Sequence, residues 1–165
     1  MKRFFKIFFL ILLILFILIQ FYPRPEKNSG QSYNKNDISA TYNTTPAVQN
    51  ILKNSCYDCH SNKTVYPWYS YLQPVAGWLG NHIIEGKKEL NFSEFDTYSP
   101  RKKFKKLDEI IREVEEDKMP LESYTFIHYN AKLDSAEKAQ ILNWAKNNYD
   151  GMKEKYPADS LKRKN

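Results

Sequence analysis

Residues 46–60 read PAVQNILKNSCYDCH. Thr45 before this stretch and Pro46 at its start form a helix opening, with a hydroxyl side chain at the N-cap and proline at the first helical position. Val48, Ile51 and Leu52 then share one apolar face. The predicted helix ends just before Cys56-Tyr57-Asp58-Cys59-His60, a Cys-x-x-Cys-His motif. Two thiols three positions apart can reach the two vinyl groups of one haem and form thioethers. The adjacent histidine then comes under the iron. The spacing therefore reads as c-type haem attachment through Cys56 and Cys59, with His60 on the metal. The motif uses both cysteines of the chain.

Three other chemistries compete for these residues. A thioredoxin-like pair belongs after a strand in a βαβ unit, and no such unit is visible. A structural zinc site needs four ligands. His82 or His128 would have to join Cys56, Cys59 and His60, without the paired spacing of zinc modules. A plain Cys56–Cys59 disulfide is the third.

Further along, Met119-Pro120 follows a long amphipathic helix, where a loop can return over a haem face. A thioether opposite histidine raises the reduction potential and suits electron transfer. Met1 is the initiator and Met152 lies beyond the last predicted helix, so Met119 is read as the sixth ligand. His128, in an aromatic loop, is the competing ligand. His82 reads as a hydrogen-bonded histidine or a contact of a haem propionate.

Three more helices follow from pattern. One covers 74–85, with Val75, Trp78, Leu79, His82 and Ile83 at helical spacing and Gly86 as its stop. A second covers 100–118, where Phe104, Leu107, Ile110, Ile111 and Val114 repeat at three and four. A third starts after Asp134, with Glu137 completing a capping box and Gly151 just past its end. No alternating strand appears. The fold class is all-α: a small cytochrome c-like helical domain wrapped around one haem, preceded by an N-terminal transmembrane helix. A domain of this size has a thin core, which a flat apolar cofactor would fill. Loop aromatics such as Tyr57, Trp68, Tyr69, Phe92, Phe95, Tyr124 and Phe126 suit such a fold.

The transmembrane expectation rests on residues 1–22. Lys2, Arg3 and Lys6 precede an unbroken apolar run over 7–19, and Phe21 and Tyr22 follow Gln20. Over 4–22 this is about the length that crosses a ~30 Å hydrocarbon core, with Lys6 snorkelling. No small-residue cleavage pattern follows the run, so the segment reads as a retained anchor. Its basic end belongs in the cytoplasm, which puts the rest of the chain on the extracytoplasmic, periplasmic side of the cytoplasmic membrane. Residues 23–41 are rich in Pro, Asn, Ser, Gly and Lys and read as a flexible tether. The haem domain is expected over 42–151, with a polar tail over 152–165.

The net charge of +6 overstates the domain. Without Lys2, Arg3 and Lys6, 22 basic side chains face 19 acidic ones and the balance falls to +3. No basic stripe interleaves with stacking aromatics, so nucleic acid is not an expected partner. The cluster Arg101, Lys102, Lys103, Lys105 and Lys106 reads as the exposed side of a helix.

Taken together, the strings Cys56-Tyr57-Asp58-Cys59-His60-Ser61-Asn62, Tyr66-Pro67-Trp68-Tyr69-Ser70, Gln73-Pro74, Trp78, His82 and Glu85-Gly86 resemble the haem-binding domain family of bacterial extracytoplasmic proteins. The resemblance continues through Leu90-Asn91-Phe92-Ser93, Met119-Pro120-Leu121, Tyr124, His128, Ala131, Leu133 and Trp144, and covers 45–149. It implies a monohaem attachment site at Cys56, Cys59 and His60. It also implies a distal methionine at Met119, as in small cytochromes c, and often an N-terminal membrane segment. The expected function is one-electron transfer by one covalently bound haem c, between redox partners the sequence does not name. A haem-based sensor with an open or labile sixth position is the alternative. No catalytic residue is assigned. A peroxidase of the dihaem type would need a second Cys-x-x-Cys-His, and only one is present.

Overall fold

The computed structural model describes residues 1–31 and 33–161. Nine α-helices run through them, joined by loops and short 3-10 turns. The described residues contain no β-strand, only an isolated bridge between Ser29 and Lys63. The all-α expectation holds.

The first helix, α1 (Lys2–Ile19), stands off the domain without a buried residue. It does not meet the expectation of a transmembrane helix. Lys2, Arg3 and Lys6 occupy its first turns, and the uninterrupted apolar run inside it spans 7–19. At 1.5 Å per residue that run covers about 20 Å, short of a ~30 Å hydrocarbon core. Among the described residues no helix is long and apolar enough to cross a membrane.

The expected tether is fastened to the domain at Asn28, Asn34 and Ile38. Asn28 donates from Nδ2 to the Ser61 carbonyl (2.8 Å) and to Thr64 Oγ1 (3.0 Å), and accepts from Lys87 Nζ (2.7 Å). Asn34 donates to the Ser93 carbonyl at 3.0 Å. The segment ends in α2 (Ile38–Thr41), capped by Asp37, and Ile38 is 0 % exposed in the main core. The polar composition that suggested flexibility supplies side chains that satisfy loop backbone.

Helix α3 (Pro46–Ser55) opens as read, with Thr45 Oγ1 accepting from the Val48 N–H at 3.3 Å. It leads into α4 (Tyr57–His60), one turn that carries the cysteine motif. Next, α5 (Val75–Glu89) runs through Gly86 rather than stopping there. Its buried row is Ala76, Gly80 and Ile83, so Trp78 faces outward. The strongest amphipathic signal becomes α6 (Pro100–Glu115), capped by Ser99. It ends before residue 118 because Asp117 takes φ 54°, and the N–H groups of Lys118 and Met119 turn back onto the Glu113 carbonyl.

After α7 (Glu122–Thr125) comes α8 (Ser135–Lys155), with the expected Asp134–Glu137 capping box. It passes Gly151 and buries Met152. The chain then turns into α9 (Ala158–Leu161), whose Leu161 joins the core. The domain therefore reaches residue 161, ten residues past the expected boundary, and residues 162–165 of the expected tail lie outside the described residues.

Helices α6 and α8 form the main pair, with Phe104 stacked on Tyr149 at 4.2 Å and 11°. Leu107, Val114, Ile141, Trp144 and Ala145 meet Val48, Ile51 and Leu52 of α3 in one core. The loop aromatics divide. Tyr57, Phe92 and Phe95 fill the core, whereas Trp68, Phe126 and Tyr129 lie at the surface.

Candidate functional site

The short helix α4 lies between α3 and α5, and its two inner positions are anchored. Tyr57 is buried, stacks on Phe92 at 5.4 Å and donates to Asp37 Oδ1 at 2.7 Å. The Asp58 carboxylate accepts from the Val65 N–H at 2.9 Å and from the Tyr124 hydroxyl at 2.8 Å. Residues between the two cysteines thus fix the turn while the cysteines and His60 remain available.

His60 is held from the other side. Its Nδ1 lies 2.9 Å from the Gly86 carbonyl and 3.0 Å from the Leu90 carbonyl. Carbonyls only accept, so Nδ1 carries the proton, and Nε2 is left with its lone pair free for a metal. Gly86 permits this approach: a Cβ there would stand 3.0 Å from the Cys59 carbonyl oxygen. Burial lowers the His60 pKa below its ordinary value, against the raising effect of the Leu90 and Gly86 carbonyls, which favours the neutral ring a metal needs.

Two adjoining cavities open beside α4. One, of about 330 Å³, is walled by aliphatic side chains including Ile51, Leu52, Ile110, Val114, Leu133 and Ile141. The other, of about 230 Å³, is bounded by Cys59, His82, Leu121 and Tyr124. Cys56, His60, Met119 and Pro120 border both, so the cavities share a seam between the cysteine motif and the Met-Pro loop. Met119 therefore reaches the same cleft as His60. His128 does not. Its Nε2 is taken by the Tyr69 hydroxyl at 2.7 Å, and its ring stacks on Tyr124 at 4.4 Å, outside both cavities. His82 is half-buried at the edge of the second cavity, with Nδ1 bonded to the Trp78 carbonyl at 2.9 Å.

The electrostatics bear on the competing chemistries. Burial pushes Cys56 up to about 12, helped by Cys59, and pushes Cys59 up to about 11, helped by Asp58. Both are neutral thiols at pH 7, the reverse of the lowered thiol that a redox-active pair requires. Both are free. Among the described residues no three His, Cys, Asp or Glu side chains converge as a metal site.

A family model described as haem-binding domain matches residues 14–147. The chain belongs to the haem-binding domain family. Searches of curated proteins and of solved structures returned no match. The haem-binding domain thus has haem as its cofactor, and family membership favours a binding or carrying role over catalysis.

The cleft fits that group on its own features. It offers a cavity of mostly apolar surface with charged side chains such as Glu89 and Lys106 along it, a neutral histidine with Nε2 free, two thiols at its rim and a thioether beside them. Sequence reasoning missed three contributors. Gly86 read as a helix stop, yet its carbonyl holds His60. Tyr124 carried no assigned role, yet it ties the Met-Pro side of the cleft to Asp58. Lys106 read as one of an exposed cluster, yet it is 6 % exposed and lines the cleft, bonded to Glu109 Oε2 at 2.6 Å. Only its position beside the buried Leu107, toward the apolar stripe of α6, hinted at this.

Proposed function

We propose that this haem-binding domain is a monohaem c-type cytochrome that carries single electrons. One observation carries the reading: Cys56, His60 and Met119 border one cleft while the His60 ring is locked with Nε2 unprotonated. Bound there, haem supplies an iron centre that cycles between ferrous and ferric states. Cys56 and Cys59 would hold it as thioethers, and His60 and Met119 would hold its iron. The Gly86 and Leu90 carbonyls keep the imidazole oriented and raise its basicity. The aliphatic side chains of the cavity would lower the polarity around the iron and so help set the potential.

The same reading attaches the protein to a membrane through α1. A helix apolar on every side and packed on nothing is unstable in water. The apolar segment continues beyond the helix end through Phe21 and Tyr22, and the stems of Lys2, Arg3 and Lys6 can lie along lipid with their charges among headgroups. The helix then sits in the lipid without spanning it and holds the haem domain at the extracytoplasmic surface of the membrane.

The test is one set of spectra on protein matured with covalent haem-attachment machinery. Wild type should keep its haem through acid–acetone extraction and give a low-spin spectrum. Cys56→Ser with Cys59→Ser should lose all covalent haem, and retention would refute attachment at the motif. Met119→Ala should lower the potential and gain carbon monoxide binding in the ferrous state. An unchanged Met119→Ala spectrum would remove Met119 from the iron ligands.

A further inference from the structure

A row of large apolar side chains lies on the surface where α1 joins the domain. The junction is tied down. Gln20 donates from Nε2 to the Gln73 carbonyl at 3.1 Å and accepts from the Gln73 N–H at 3.0 Å. The Gln73 side chain in turn donates to the carbonyls of Tyr22 and Pro23 at 3.4 Å each. The chain just before Gln73 is the 3-10 turn Trp68–Tyr71 followed by Leu72, and Trp68 is 76 % exposed. Tyr69 of that turn is bonded to His128, which brings in the loop that carries Phe126 (74 % exposed), Ile127 and Tyr129 (77 % exposed). Lys27 lies beside this row, with Nζ 3.1 Å from the Tyr71 ring centroid.

A cluster this apolar is costly in water and marks a contact surface. Its composition is that of a bilayer interface, where tryptophan and tyrosine sit at headgroup level and a lysine meets anionic lipid. Its position names the occupant, because it is continuous with the lipid-seeking helix through the Gln20–Gln73 tie.

We infer that the face formed by Trp68, Tyr71, Leu72, Phe126, Ile127 and Tyr129 lies on the lipid surface and holds the haem domain in one orientation. This rests on the membrane attachment proposed above. It adds a second contact, separate from α1.

The experiment uses the full haem-loaded chain mixed with phosphatidylethanolamine–phosphatidylglycerol vesicles. These carry a small fraction of phosphatidylcholine with a photoreactive diazirine in its acyl chain. Flotation reports attachment, and mass spectrometry of the irradiated protein maps lipid adducts. Adducts at 68–72 and 126–129, as well as in 4–22, are expected. Adducts confined to 4–22 on floated protein would overturn the docked face and leave the anchor standing. Protein that fails to float would overturn both. Trp68→Ser with Phe126→Ser changes two exposed side chains, so it should still float and lose the adducts at both surface segments. Undiminished adducts there would overturn the inference.

Discussion

At Asp58 one carboxylate joins two sides of the cleft. Its partners are the Val65 N–H and the Tyr124 hydroxyl, and Tyr124 sits five residues after Met119. A hydrogen bond to a charged group contributes about 1.5–3 kcal/mol. Tyr124→Phe is therefore expected to lose about 1–2 kcal/mol in urea unfolding. Asp58→Asn should lose a similar amount, and the double variant less than the sum, because both remove one bond. Additive losses would show that the contact contributes nothing. Burial first, and then the Asp58 charge, raise the Tyr124 pKa above its ordinary value. The raised folded pKa means this contribution is present in full below about pH 10 and is lost as pH rises beyond it. In Tyr124→Phe that part of the alkaline loss should be missing. The sequence motif marks only Cys56, Cys59 and His60. The roles of Tyr57 and Asp58 depend on partners 20 and 66 positions away.

On the scale of elements, two glycines in helices behave oppositely. Gly86 of α5 faces the backbone of α4, and a Cβ would meet the Cys59 carbonyl oxygen at 3.0 Å and its Cβ at 3.4 Å. Gly151 of α8 has nothing within 4 Å of such an atom. Gly151→Ala should raise stability by about 0.5–1 kcal/mol, the ordinary helix preference for alanine. Gly86→Val should lower it by about 1–3 kcal/mol through overpacking and push α5 off the His60 ring. Thermal melts of the two variants compare them directly. A Gly86→Val protein as stable as wild type would mean the α4–α5 contact yields freely. Helix starts were readable where capping is local: Thr45 and Asp134 each accept from a backbone N–H three residues on. Helix ends were less so. Gly86 and Gly151 both look like stops, and tertiary packing carries each helix past them.

For the whole molecule, the extent of the folded unit can be measured through Ile38 and Leu161. Both lie outside the 42–151 domain read from sequence, and both are buried in its core. Ile38→Ala and Leu161→Ala should each cost about 2–5 kcal/mol of unfolding free energy, as core truncations do. A tether or tail residue would cost almost nothing, so urea titration distinguishes the two. The segments escaped sequence reading because residues 23–41 and 152–161 are mostly polar, with single apolar residues that form no periodic face.

The sequence by itself determined the all-α class, the starts of four helices, the cysteine motif with its histidine, and Met119 as a candidate beside it. These follow from signals a few residues long: caps, 3.6-residue periodicity and the spacing of two thiols. Only the tertiary structure decided that the Gly86 and Leu90 carbonyls fix the His60 tautomer, that Lys106 lies in the cleft, that His128 turns to Tyr69, and that Asn28, Asn34 and Ile38 lie on the domain. Each of these joins groups far apart in the chain. Which distant groups meet is set by how helices pack to bury one shared core, a property of the assembled chain that no local pattern contains.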